Sequence, residues 1–153
     1  IFAKRHKLDS LLYMDLVSLV APIGIFFGRI ANFINSELYG IPTEVAWAVT
    51  FVRVDNISRH PSQLYEAVLE GIILFLILLY YKKKSYLDKP GLISSLFLIF
   101  YSVFRFIVEF FRVPDEQLGH LIFNLSMGQI ISLICILFGI ILFYFKNENK
   151  QIN

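Results

Sequence analysis

The sequence has little that could carry soluble chemistry. It contains a single cysteine, Cys135, so no internal disulfide can form, and its place inside an apolar run reads as packing. Three histidines, His6, His60 and His120, are too scattered to meet cysteines or carboxylates at metal-ligand spacing. No glycine-rich phosphate loop of the P-loop kind occurs. Ser62 has no histidine–aspartate arrangement nearby, which leaves a serine-hydrolase reading without support. The formal net charge is only +2, so nothing in the electrostatics suggests nucleic acid as a partner. Internal repeats and low-complexity stretches are also absent.

What the chain does have is apolar sequence. Hydrophobic residues make up 57%, with 16 Phe and 8 Tyr, against about 45–50% in soluble domains. The excess falls into four runs bounded by charge, at about Leu11–Ile30, Leu64–Tyr81, Leu92–Phe111 and Leu125–Phe145. Each is long enough to cross a hydrocarbon core of about 30 Å as a helix. None alternates with period two, which argues against a barrel. The expected fold is an all-α polytopic membrane protein of about four transmembrane helices.

Basic residues set the expected orientation. Lys4, Arg5 and Lys7, then Lys82, Lys83, Lys84 and Lys89, then Lys146 and Lys150 fall on one side and predict that side to be cytoplasmic. The opposite side carries a polar insertion at residues 32–62 between the first two spans. Within it Val45–Val54 is rich in β-branched and aromatic residues and predicts a short strand or hairpin, entered through Gly40 and Pro42 and left at Pro61. The chain opens on Ile1, and the expectation is an internal or C-terminal piece of a longer protein.

Charges inside spans cost about 2.5–3.5 kcal/mol each on insertion scales and usually mark function. Arg29 lies at the outer end of the first run, Glu66 and Glu70 in the outer half of the second, and Arg105 and Glu109 in the outer half of the third. Asp15 alone lies toward the cytoplasmic side and reads as a polar group paired with a neighbouring helix. Arg105, Glu109 and Arg112 share one helical face, and Arg29 and Asn32 share another if the first helix continues. Internal ion pairs that lock helices together are one reading. Arginines on separate spans at similar depth favour another, bidentate recognition of a phosphate at headgroup level. Gly24 and Gly28 form a G-x-x-x-G pair, which predicts close approach of a neighbouring helix. His60 and Tyr65 open the second run, and Tyr65 suits an interfacial anchor.

The run Gly28-Arg29-Ile30-Ala31-Asn32-Phe33-Ile34-Asn35-Ser36-Glu37-Leu38-Tyr39-Gly40 closely resembles the signature of prolipoprotein diacylglyceryl transferases. His60–Glu66 (HPSQLYE), Phe104–Asp115 (FRFIVEFFRVPD) and Ser126–Gln129 (SMGQ) are similar to three further blocks of that family, in the same order. The resemblance implies transfer of the sn-1,2-diacylglyceryl group of phosphatidylglycerol to the cysteine thiol of a prolipoprotein signal peptide, with release of glycerol 1-phosphate. It implies a seven-span protein in the bacterial inner membrane, working on the periplasmic leaflet among membrane lipids, without metal or nucleotide cofactor. Residues 1–153 would be a single membrane domain supplying the last four spans.

Carried over by motif, Arg29 and Arg105 bind the lipid phosphate and support its departure. Glu109 orients Arg105, and Asn32, Glu37 and Gly40 belong to the essential signature. Arg112 is an accessory contact at the mouth of the site, and His60 is a candidate substrate contact. The general base stays open between an upstream histidine, Glu109 and His60. Two positions depart from the family pattern, Ala31 and Ser36, both glycine there. The rival reading is a membrane transporter or phospholipid-binding module without covalent chemistry. Two expectations follow from the sequence. The chain upstream of Ile1 should hold three more spans and the family's His-Gly-Gly stretch, which sequencing of the full gene would reveal. Arg105→Ala should abolish transfer while leaving expression nearly intact.

Overall fold

In the computed structural model the described residues are Arg5, 9–85, 89–113 and 125–148. Lys4, Lys7 and Lys150, with His6, Pro114, Asp115 and His120, lie outside them. Among the described residues four helices are long and apolar enough to span a membrane. The first is α1 (Ser10–Asn35). The second is continuous but changes pitch, from α2 (Ser62–Glu66) through a π-helical segment (Ala67–Ile73) into α3 (Leu74–Ser85). The third, α4 (Leu92–Val108), tightens into a 3-10 turn at Glu109–Phe111. The fourth is α5 (Met127–Glu148). The expected all-helical membrane architecture is therefore what the chain forms.

Burial is inverted relative to a soluble bundle. In α1 the buried stripe is Asp15, Ser18, Leu19 and Pro22, at helical spacing. Elsewhere Gln63, Glu66, Glu70, Ser94, Ser95, Ser102, Gln129 and Ser132 are buried, whereas Phe27, Leu76, Ile134, Leu137 and Phe138 are exposed. Asp15 and Glu66 find partners on other helices, Ser95 and Ser132 donate to carbonyls of their own helix, and apolar side chains face outward where lipid would cover them. A small apolar core of Leu19, Leu74, Leu78, Ile93 and Leu96 closes the centre.

The glycines that permit close packing are not the expected pair. A Cβ on Gly24 or Gly28 would meet nothing within 4 Å, because both are on a face of α1 turned away from the other described helices. A Cβ on Gly71 would lie 2.7 Å from that of Phe26, and one on Gly139 would press on Ile99 and Leu98. Gly71 joins α1 to the π segment, and Gly139 joins α5 to α4.

The first helix runs past its apolar stretch to Asn35. It ends in a Schellman motif, with Ser36 N–H donating to Phe33 O and Glu37 N–H to Asn32 O. Ser36 is left-handed (φ 61°), and so is Leu38 (φ 53°). The insertion that follows holds a hairpin shorter than its sequence suggests, β1 (Val49–Thr50) paired antiparallel with β2 (Ser58–Arg59). Asp55 closes it: its carboxylate accepts from Ile57 N–H at 3.0 Å and pairs with Arg59 at 2.6 Å. Arg59 beside it holds the Asp55 carboxyl below the usual range, and Asp55 in turn raises Arg59. The Arg59 guanidinium also lies 4.9 Å from the Tyr39 ring centre.

Ser36 occupies a conformation that costs an L-residue about 1–2 kcal/mol and glycine almost nothing. Ser36→Gly is therefore expected to stabilise the protein by about 0.5–1 kcal/mol, after allowance for glycine's unfolded-state entropy. Thermal unfolding in detergent checks this.

Candidate active site

Apart from Asp15, the in-span charges named above gather at one end of the bundle, around Glu66. This carboxylate is fully buried. Its Oε2 lies 3.2 Å from Arg29 Nε. Its Oε1 pairs with a terminal nitrogen of Arg105 and lies 3.6 Å from one of Arg112. One side chain from the second span thus engages guanidinium groups from the first span and from the end of the third. Glu70, also fully buried, takes a long hydrogen bond from Arg29 at 3.5 Å. Glu109 Oε2 lies 2.7 Å from the other terminal nitrogen of Arg105. Three guanidinium groups stand against three carboxylates in one low-dielectric site.

Local structure explains why Glu66 and Glu70 both face α1. They are four residues apart on one continuous helix, where positions i and i+4 share a face, and both meet Arg29. Gly71 then lets Phe26, three residues before Arg29, come against the segment.

Glu109 is held from the fourth span. Ser126 Oγ donates to Glu109 Oε1 at 2.9 Å. Ser126 also forms a reciprocal capping box with Gln129: Gln129 N–H donates to Ser126 Oγ (3.2 Å), and Ser126 N–H to Gln129 Oε1 (3.0 Å). A Cβ at Gly128 would sit 2.8–3.0 Å from the Glu109 carboxyl atoms, so a side chain there would displace the carboxylate from this position. The anion rests against the first turn of α5, where a helix dipole favours negative charge.

The insertion is fastened over this end. Gly40 N–H donates to His60 O and Ile41 N–H to Phe111 O. A Cβ on Gly40 would come under 3 Å from both of those carbonyl oxygens. Gln63 Nε2 donates to Glu37 O (2.5 Å) and Ser62 Oγ to Leu38 O (3.1 Å), pinning the left-handed turn. Ser62 is thus a clasp for that loop. His60 Nδ1 lies 3.0 Å from Tyr65 Oη, which accepts from Trp47 Nε1 (2.7 Å). The His60 ring meets Phe111 edge-on at 5.2 Å.

Of the residues named from sequence, Arg29, Arg105, Glu109 and Arg112 are brought together. Arg112 is buried beside Glu66. Gly40 and His60 form the adjoining layer. Asn32 and Glu37 belong to the helix end, Glu37 exposed and held through its backbone, outside the ion-pair cluster. Glu66 and Glu70 are the members that motif reasoning left out; their charge within the second span was the available signal.

Arg105 ties the fully buried Glu66 to the partly buried Glu109, so Arg105→Ala should reduce the yield of folded protein, where the sequence alone led to an expectation of nearly intact expression. Removing one partner of a buried pair costs about 3–5 kcal/mol. Glu66→Ala should exceed Glu66→Gln in destabilisation, since glutamine retains one acceptor for the arginines. Detergent thermal shift on the two variants measures the order.

Comparison with known proteins bears directly on this arrangement. A sequence model described as "Prolipoprotein diacylglyceryl transferase" matches residues 1–145. Proteins named phosphatidylglycerol–prolipoprotein diacylglyceryl transferase are similar to 99% of the chain: 53% identical in Rickettsia bellii, and 48% in both Rhodospirillum rubrum and Campylobacter lari. The match covers 58%, 56% and 54% of those relatives, so the chain spans about half their length. With the arginine-bearing blocks in order and folded together, the chain belongs to the prolipoprotein diacylglyceryl transferase family.

Proposed function

We propose that this chain forms the phosphate-binding part of an enzyme that transfers a diacylglyceryl group from phosphatidylglycerol to the lipobox cysteine of a prolipoprotein. The observation that carries the reading is the convergence of Arg29 and Arg105, from different spans, on the two oxygens of Glu66. A guanidinium has five N–H donors. In Arg29 the ion pairs engage Nε and one terminal nitrogen, and the second terminal nitrogen remains for a headgroup oxygen. Glu66 and Glu109 hold the two forks in place before substrate arrives, so little reorganisation accompanies binding.

The chemistry is displacement at a glyceryl carbon. The thiol loses its proton, and the thiolate sulfur forms the C–S bond. The C–O bond to phosphate breaks, its electron pair passes to the phosphate oxygen, and glycerol 1-phosphate departs. Negative charge grows on that phosphate, where arginines in a water-poor site stabilise it most. Lipid and peptide are both anchored in the membrane, which replaces three-dimensional diffusion with positioning. The thiol, with an ordinary pKa of about 8.5, needs a proton acceptor. His60, Glu109 and an upstream histidine are the candidates. Glu109 is already engaged by Arg105 and Ser126, which favours the histidines. Neither a metal nor a nucleotide enters this scheme. The bias of basic residues in the sequence supports an orientation with the arginine end, and the insertion of residues 32–62 over it, toward the periplasmic face of the inner membrane.

The rival is a transporter or lipid-binding module, in which the same arginines hold a headgroup without reaction. Mass spectrometry of a lipobox peptide incubated with the full-length protein and phosphatidylglycerol separates the two. Addition of a diacylglyceryl mass with release of glycerol 1-phosphate is expected; lipid binding without addition would favour the rival.

Arg29→Lys should lower kcat/KM at least tenfold, about 1.4 kcal/mol, because an ammonium cannot reproduce the bidentate fork. Unchanged kcat/KM in the lysine variant would remove bidentate recognition from the account.

A further inference from the structure

At the opposite end of α1 from Arg29, Asp15 is fully buried and takes no part in the chemistry above. Its Oδ2 accepts from Gly91 N–H at 2.7 Å, and its Oδ1 accepts from Ser94 N–H at 2.8 Å and Ser94 Oγ at 2.6 Å. Gly91 is the N-cap of α4 and has no side chain to cap with. In a capping box two residues of one helix share the N-cap and N3 N–H groups. Here one carboxylate from another helix takes both.

The consequence is geometric. Asp15 lies fourteen residues before Arg29, about 21 Å of helix rise, and Ser94 lies eleven before Arg105, about 16 Å. Since Asp15 meets the start of α4 while Arg29 and Arg105 meet on Glu66, the two helices run parallel and are tied at both ends. A slip of one residue along α4 would move Arg105 by about 1.5 Å and turn it by about 100°, taking it off the carboxylate it shares with Arg29. We propose that Asp15 is a positioning residue: by capping α4 from α1 it sets the axial register that brings Arg105 to the depth of Arg29. This role in catalysis rests on the transferase reading above.

Two readouts test it in the full-length protein. Spin labels on cysteines placed at the exposed positions Ile34 and Phe110 report the spacing of the first and third spans at the arginine end. In Asp15→Asn, whose amide keeps one acceptor oxygen and so cannot accept from Gly91 N–H and from Ser94 on separate oxygens, the distance should shift by 1.5 Å or more or its distribution broaden by about that rise per residue. KM for phosphatidylglycerol should rise at least tenfold. A purely structural loss would lower the apparent kcat through fewer folded molecules and leave KM and the distance unchanged, and that result would overturn the proposal. Ser94→Ala, which removes one of the three bonds and keeps the two backbone ones, should give a smaller change in the same direction; no change in either readout would also count against it. Absence of transfer in the unsubstituted protein would instead refute the transferase reading, while the label distances still decide the register.

Discussion

Glu66 is the constraint on which the rest depends. A carboxylate with no access to water needs opposite charge at contact distance, since its desolvation costs several kcal/mol. Glu66 has three guanidinium neighbours, Arg29, Arg105 and Arg112. Those arginines would be as costly to bury alone. Each charge therefore makes the others tolerable, and the first, second and third spans must meet where they do. The same arrangement holds guanidinium groups fixed at one end of the bundle, the preparation that recognition of a phosphate requires.

Most of the remaining polar structure serves that cluster. The serine–glutamine capping box and Gly128 seat Glu109 against the fourth span. Gln63 and Ser62 secure the left-handed turn at the end of α1, and Gly40 allows the insertion to lie on the end of the third span. Asp15 ties α1 to the far end of α4. The motif blocks are thus supports as much as reagents: of the thirteen residues from Gly28 to Gly40 only Arg29 enters the ion-pair cluster.

How far this was legible varies with the physical signal involved. Span number and placement follow from apolar run length, which the bilayer imposes directly. The grouping of Arg29, Arg105 and Glu109 followed from charges at similar depth in separate spans. Glu66 as the hub did not, because which in-span carboxylate meets all three arginines depends on how the helices pack, Gly71 against Phe26 included, and hydrophobic periodicity does not encode that. No described helix approaches the G-x-x-x-G pair, and spacing alone does not say which face of α1 meets a given neighbour; among the described residues Gly71 and Gly139 mark close approaches. Ser36 and Leu38 give no compositional hint of positive φ, although the family's glycine at the first of these positions was a clue. The hairpin came out shorter than its β-rich stretch because only Val49–Thr50 finds a partner strand.

The central claim is that guanidinium groups from separate spans grip one phosphate. Dipolar recoupling NMR between ¹⁵N-labelled arginine and the ³¹P of bound phosphatidylglycerol, in the full-length protein in bilayers, addresses it directly. Arg29 and Arg105 should both couple to the same phosphorus at about 4 Å, the separation set by an N–H···O–P contact. Coupling from only one of them, or from neither while transfer proceeds, would contradict the account.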